Sequence, residues 1–350
     1  MKKIVISMLH SRVRAVLRKF QPKIIAVTGS VGKTSAKQAI YLALDGIVDV
    51  RTAEKNYNNE IGVPLTILGA KSPKKSIVGW LSLFFNSYRI KEYPEVLVLE
   101  YGADHPGDIA TLCALAQPNV GVVTGVSTVH AEYFTNIDEL AREKATLVGH
   151  VPPNGLAVLN ADDVRVVDMV DNTHASVKTF GIKSLDVSVS DIRIAPRIDH
   201  SFESGETFAV TTALVKQENI EVGQLILRNM VGYAPVMACL AAITVADHFN
   251  IPAVDVIKKL NTSFSAVPGR LNPISGIKGA LILDDSYNAA PSAMQNGLEV
   301  LRMFAPGEEQ DRRIAVLGQM AELGKYSEEE HRLVGMKAAE VADIFIAVGE

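Results

Sequence analysis

Several features that would have fixed the class of this chain at once are scarce in it. There are only two cysteines, Cys113 and Cys239, with no CxxC and no metal-ligand spacing. A disulfide-stapled secreted scaffold and a cysteine-based zinc module are thereby excluded, and both residues read as buried thiols of a reducing compartment. No apolar run reaches the roughly 18 residues of a transmembrane helix. The N-terminal apolar stretch Ile4–Leu9 is short, runs into His10-Ser11-Arg12 and lacks a small-residue cleavage site, which argues against a secretory signal. There are no repeats and no low-complexity segments. Net charge is small: 35 Lys and Arg against 39 Asp and Glu give −4. A polyanion binder is excluded, and no nucleic-acid partner is expected. Acidic residues are missing altogether from residues 1–23, which carry seven Lys and Arg and hence +7, leaving −11 for the remainder.

What is present is ordinary globular material. The 350 residues, 48% hydrophobic and 21% charged, suit about two domains or three small ones with a sizeable core. Apolar runs at 24–28, 96–99, 120–124 and 156–159 read as buried parallel strands. Helical periodicity at 33–44, 109–116 and 137–148 alternates with them, which predicts α/β architecture, a parallel sheet with helices on both faces. Residues 176–230 alternate or run short, and predict a small, mainly antiparallel β insertion. Helical pattern returns at 236–249 and 254–260. After Pro268-Gly269 a new α/β unit follows, with strands at 280–283, 314–317 and 344–348 and helices at 292–304 and 327–341. The expected organisation is a basic segment 1–23, a central domain 24–267 and a C-terminal domain 268–350. Residues 1–23 predict a short basic helix. Residues 75–91 hold the single tryptophan, Trp80, among apolar residues with basic flanks. They predict either a helix covering the sheet or an interfacial segment, so weak membrane-surface contact by 1–23 or 75–91 is an expectation.

Thr28-Gly29-Ser30-Val31-Gly32-Lys33-Thr34-Ser35 joins the first strand to the first helix. Glycines allow a sharp turn and close approach to phosphate. The helix start supplies unpaired N–H groups and the positive end of its dipole. Lys33 suits the β- and γ-phosphates, and the Thr34 hydroxyl suits Mg²⁺. Gly29, Ser30, Gly32, Lys33, Thr34 and Ser35 are thus the candidate phosphate-binding residues. The pattern is shorter than the standard phosphate loop, because Val27 stands where the first glycine normally is.

Further segments occur in a telling order. They are Asn56–Pro64, Val98–Ala103 with Glu100, Val129-His130-Ala131-Glu132, Glu143-Lys144-Ala145 and Asn160-Ala161-Asp162-Asp163. Pro268-Gly269-Arg270, Asp284–Pro291 and Leu317–Gly324 follow. Together the chain resembles the Mur ligase family from residue 24 onward, and within it the branch that adds D-alanyl-D-alanine. The resemblance implies ATP-dependent amide ligation through an acyl phosphate, in peptidoglycan precursor synthesis. It further implies ATP and Mg²⁺ as cofactors, a UDP-muramoyl tripeptide and D-alanyl-D-alanine as small-molecule substrates, and a cytoplasmic location, with a peripheral position at the inner membrane face. Its C-terminal unit would be a partial Rossmann-like domain.

The resemblance gives each candidate a role beside its plainer reading. Glu100, at a strand end, suits Mg²⁺; otherwise it is a salt-bridged acid. His130 becomes a second-metal ligand rather than a structural histidine. Lys144, an ordinary solvated helix lysine by sequence alone, becomes a carbamylated metal ligand. Arg270 becomes a γ-phosphate clamp rather than a surface ion pair. Asp285 becomes a ribose acceptor rather than a helix cap, and Asn288 a nucleotide contact. Catalysis is thereby assigned to Lys33, His130, Lys144 and Arg270, and metal binding to Thr34, Glu100, His130 and Lys144.

Two departures stand out. Gly232–Ala238 lacks the polar side chains that the family places beside adenine, and only about 23 residues precede the first strand where the family has a sugar-nucleotide domain. The expectation is a short or truncated form. Ligation of another carboxylate and amine, or a nucleotide-binding partner protein without ligation, stays open.

Overall fold

The computed structural model describes residues 2–53, 57–127, 133–196, 207–304 and 311–349. The chain opens with α1 (Lys2–Phe20), β1 (Lys23–Thr28), α2 (Lys33–Leu44) and β2 (Val50–Thr52). Next come α3 (Gly62–Ile67), α4 (Ile77–Ser87), β3 (Val96–Glu100), α5 (Asp108–Leu115), β4 (Val120–Val123), α6 (Ile137–Gly149) and β5 (Leu156–Asn160). Then follow α7 (Val164–Val167), β6 (Ser176–Gly181), β7 (Val187–Pro196), β8 (Ala209–Gln217), β9 (Ile220–Arg228), α8 (Tyr233–His248) and α9 (Ala253–Ser263). The last part holds β10 (Asn272–Ser275), β11 (Leu281–Asp284), α10 (Pro291–Met303), β12 (Ile314–Gly318), α11 (Ser327–Val341) and β13 (Ile344–Val348).

Nine strands form one sheet in the order β2-β3-β1-β4-β5-β6-β7-β8-β9. The strands from β2 to β7 pair in parallel. β1 is buried from Ile24 to Thr28, and its alternate residues serve opposite layers. Ile25 and Val27 pack with α2, α8 and α9, while Ile24 and Ala26 pack with the layer that includes α1, α3, α5 and α6. Burial on both faces is why this strand reads as a continuous apolar run. α8 is apolar nearly all round, because α2, α9 and the sheet enclose it.

Chain order reverses at β1: β3 lies on one side and β4 on the other. That is the topological switch point of the sheet, where the connections diverge and leave a crevice beyond the strand ends. The loop 28–35 opens into that crevice, and Val27 is in register with Glu100 of the neighbouring strand.

Residues 176–230 are mainly antiparallel β structure, as expected. β7, β8 and β9 are antiparallel. However, β6 pairs in parallel with β5, so the stretch prolongs the main sheet rather than standing apart. Alternation signals one-sided burial, and it does not say which edge a strand joins. The C-terminal unit has the expected helices and strands, together with β10, which the sequence reading did not include. β10–β11 is an antiparallel pair and β12–β13 a parallel one, in separate sheets. Cys113 and Cys239 are buried free thiols, and burial pushes both above the ordinary thiol range.

Candidate functional site

The site begins with a turn that only glycine fits. Gly29 has φ of 146°, and a Cβ there would lie 2.0 Å from Thr124 Oγ1. Thr124 donates from Oγ1 to the Val31 carbonyl at 2.6 Å, fastening the loop to the end of β4. Ser30 and Ser127 complete the fastening: Ser30 Oγ donates to the Ser127 carbonyl (3.1 Å) and accepts from Ser127 N–H (2.9 Å). Gly32, at φ 85°, occupies the left-handed region and starts α2 without a side-chain cap, so the positive end of the helix dipole lies at the loop. Gly29→Ala is expected to lower nucleotide affinity at least ~10-fold by steric displacement of this loop, read by calorimetric titration with ATP.

Thr34 and Glu100 meet directly. The Thr34 hydroxyl donates to Glu100 Oε2 at 3.1 Å, and Asn58 Nδ2 donates to Oε1 at 3.4 Å. Glu100 is 3% exposed, and Lys37 Nζ lies 3.7 Å from Oε2. A carboxylate and a hydroxyl at a phosphate loop are hard oxygen donors, the set that Mg²⁺ prefers. Among the described residues no three His, Cys, Asp or Glu side chains converge as a metal cluster.

Three cationic side chains come together at the loop. Lys33 Nζ donates to the Gly29 carbonyl (2.8 Å) and the Ser30 carbonyl (3.3 Å). Burial lowers its pKa and the charge of Arg270 adds to that, while Glu100 and Asp104 oppose it. Lys144 is 2% exposed. Burial first, and then the charge of Lys33, pull its ammonium down to about 7. Arg270 lies with its guanidinium 4.3 Å over the Tyr287 ring. Its charge is felt at Lys33 and at Asp285. It thereby connects the chain after residue 268 to the phosphate loop.

The loop between β3 and α5 is set by Glu143, the residue before Lys144. Its two carboxylate oxygens accept from Gly107 N–H (2.9 Å) and Ile109 N–H (2.8 Å), at the N-terminus of α5. Both bonds are charge-assisted and the helix dipole favours the anion. Glu143→Ala is expected to cost about 2–4 kcal/mol of stability, measured by urea denaturation. It is also expected to lower the Lys144 pKa further, since Glu143 is one of the charges that raise it.

Asp285 accepts from Leu271 N–H at 3.1 Å, and burial raises its pKa to about 6. Asn288 is exposed, and its side-chain oxygen accepts from Ala289 N–H at 2.9 Å. Ser35 lines a small cleft with Val231, Pro235, Phe264, Arg270 and Leu271. His130 and Asn56 lie outside the described residues.

The structure thus gathers Lys33, Thr34, Glu100, Lys144 and Arg270 around one loop. The sequence reading missed Lys37 and Thr124, and it held Asn58 and Glu143 only within family-like segments, without a role. Lys37 had a readable signal: it is a cation one turn after Lys33, beside the apolar positions Ala36 and Ile40. Thr124 and Glu143 gave none, because their partners are distant in sequence. Asn160 and Asp163 prove to be braces. Asn160 Nδ2 donates to the Thr124 carbonyl (2.8 Å), and Asp163 Oδ2 accepts from Val126 N–H (2.7 Å).

Fold and site together define a phosphate-loop α/β protein with an acid at the neighbouring strand end. The Mur ligase middle domain matches residues 27–246, and the Mur ligase glutamate ligase domain matches residues 269–350. The chain belongs to the Mur ligase family. It is 30% identical over 324 residues to the UDP-N-acetylmuramoyl-tripeptide–D-alanyl-D-alanine ligase of Mycobacterium leprae, covering 90% of this chain and 59% of that protein. The Escherichia coli ligase of the same name is 30% identical over 322 residues, covering 92% and 63%. The chain therefore spans about three-fifths of the length of these curated relatives. Among solved structures, MurF from Acinetobacter baumannii superposes with TM-score 0.79 at 26% identity, covering 98% of this chain and 67% of that one. MurF ligase from Thermotoga maritima in complex with ADP gives 0.78 at 28%, covering 98% and 70%.

Proposed function

We propose that the chain carries the nucleotide-binding and ligation machinery of an ATP-dependent amide ligase. Its acceptor is a UDP-muramoyl tripeptide and its amine donor is D-alanyl-D-alanine, in peptidoglycan precursor synthesis. The observation that carries the reading is Lys144, buried beside Lys33 and held near neutrality. A phosphate loop alone speaks for a nucleotide. A buried lysine whose amine is neutral around pH 7 is the form that takes up CO₂, releasing a proton and becoming an anionic carbamate. The names of the relatives support the substrates.

ATP occupies the loop 28–35, with Lys33 and the N-terminal end of α2 toward its phosphates. Thr34 and Glu100 would hold one Mg²⁺, and carbamylated Lys144 with His130 would hold a second; such ions would supply charge neutralisation at the phosphates. The acceptor carboxylate attacks the γ-phosphorus, the bond from that phosphorus to the β–γ bridging oxygen breaks, and ADP leaves as the carboxylate becomes an acyl phosphate. Lys33 and Arg270 offset the charge spreading over the transferring group. The amine then attacks the activated carbonyl and phosphate leaves. Asp285 accepts from the ribose hydroxyls, and Asn288 contributes a nucleotide contact. The polar adenine contacts of the family are missing from Gly232–Ala238, so backbone groups or other residues recognise the base.

Segments 1–23, 24–267 and 268–350 are the proposed domains. No described helix is long and apolar enough to cross a membrane. A cytoplasmic position, with weak contact of residues 1–23 or 75–91 with the inner membrane face, belongs to the same proposal. The test is ADP release with purified substrates: release is expected only when tripeptide acceptor and dipeptide are both present. Nucleotide binding with no acceptor-dependent turnover would transfer the chain to the class of nucleotide-binding partner proteins.

A further inference from the structure

A surface helix of a water-exposed protein turns its polar side outward. α4 buries an apolar side and also presents apolar residues outward, beside the exposed Ser82 and Asn86. Leu83 and Ser87 are buried beneath it, with Trp80 and Phe84 partly so. Its outward side presents Ile77, Val78, Leu81 and Phe85, exposed by 74%, 76%, 64% and 57%. Ile77, Leu81 and Phe85 follow one another at four-residue steps, so they form one stripe. Isolated exposed apolar residues are ordinary, but a continuous stripe marks an interaction surface.

Charge identifies what covers it. No acidic residue occurs between Glu60 and Glu92, while Lys71, Lys74, Lys75, Arg89 and Lys91 bracket α4. α1 is fastened to the same end of the unit. Arg12 Nε donates to Ser87 Oγ at 2.9 Å, its guanidinium donates also to the Ser87 carbonyl, and it lies 3.9 Å over the Tyr88 ring. Lys19 Nζ donates to the Ile90 carbonyl at 3.1 Å. α1 is equally free of acid, since Asp45 is the first acidic residue of the chain. A cationic two-helix unit with an apolar outer stripe thus sits on a protein whose net charge is −4. A second copy meeting it face to face would set cation against cation. An acidic protein surface would match the charge and leave the stripe unmatched. An anionic bilayer matches both, with headgroups for the lysines and the acyl boundary for the stripe.

We propose that α4, held in place by α1, is the docking face for a bilayer carrying anionic phospholipid. This deepens the peripheral position proposed for residues 1–23 and 75–91 and is independent of the ligation chemistry. The full chain is to be co-sedimented with phosphatidylcholine vesicles and with vesicles containing roughly one-third phosphatidylglycerol. Binding is expected only to the anionic vesicles, weakening as salt is raised. Emission from Trp80, the single tryptophan, is expected to move to shorter wavelength on binding. The double variant Leu81→Ser/Phe85→Ser removes two largely exposed side chains and, with Phe85, the ring that the Arg89 guanidinium covers at 4.0 Å. It is expected to keep the wild-type denaturation midpoint and lipid-free ADP release while losing at least ~10-fold in vesicle partition. Lys75→Glu is expected to weaken binding in the same direction. Failure to bind anionic vesicles, or undiminished binding by the double variant, overturns the proposal. So does a concentration-dependent dimer that the double variant dissolves, because the stripe would then belong to a second copy. Vesicle binding without acceptor-dependent turnover would leave docking intact and defeat the ligase reading instead.

Discussion

Lys33→Ala should reduce substrate-dependent ADP release by on the order of 10³-fold, while leaving the fold intact. Among the described residues its hydrogen bonds go to carbonyls of its own loop, Gly29 and Ser30, so its loss breaks no long-range hydrogen bond there. It is also a desolvated cation, lowered chiefly by burial, and deleting it relieves that cost. What disappears is a positive charge aimed at the phosphates, in a place where little water screens it. A second readout separates this from a general defect. The charge of Lys33 is one of the causes that depress Lys144, so in Lys33→Ala the Lys144 pKa should rise from about 7. Lysine titration followed by NMR on isotopically labelled protein checks the shift. A variant that retains full turnover would falsify the mechanism.

Lys144→Ala should be nearly as damaging, with a loss of roughly 10²–10³-fold in kcat, and its pattern of rescue should be diagnostic. If the working group is a carbamate, a small carboxylate such as formate can enter the space left by the side chain and restore part of the rate. Lys144→Arg keeps a cation and fills that space, so it should resist rescue. The pH dependence follows from the sign of the shift. With the ammonium lowered to about 7, the amine is mostly neutral above that pH and reacts with CO₂. Below it the ammonium dominates and cannot react. Turnover in bicarbonate-depleted buffer should therefore fall as pH drops through about 7, and added bicarbonate should restore part of it. A profile indifferent to bicarbonate, together with no rescue by formate, would remove the carbamate from the mechanism.

These predictions depend on residues that were legible to very different degrees. Lys33 and Thr34 could be read directly, because a phosphate loop is a local object: strand, glycine turn and helix start follow one another along the chain. Glu100 was legible as a strand-end acid, though its bonds to Thr34 and Asn58 join three separate segments. Lys144 was the reverse. Its own surroundings, Arg142-Glu143-Lys144, read as a solvated helix face, and only the family resemblance singled it out. The tertiary structure buries it, because α6 turns that face toward the β3–α5 loop, where Glu143 secures Gly107 and Ile109. The stretch 176–230 shows the same limit in the fold. Its alternation announced strands, but not that β6 would join β5 in parallel and extend the sheet.

By itself the sequence determined the position of the glycine loop between β1 and α2, which family the motifs resemble, and most strands and helices of the central part, though not the short β2, α3 and α7. Those properties rest on periodicity and on contiguous residues, which the chain carries in its own order. The tertiary structure alone decided which charges share a low-dielectric space. It put Lys144 next to Lys33, brought Arg270 within reach of both Lys33 and Asp285, and left the apolar stripe of α4 facing outward beside α1. Burial and proximity set those properties, and both are created when distant segments pack.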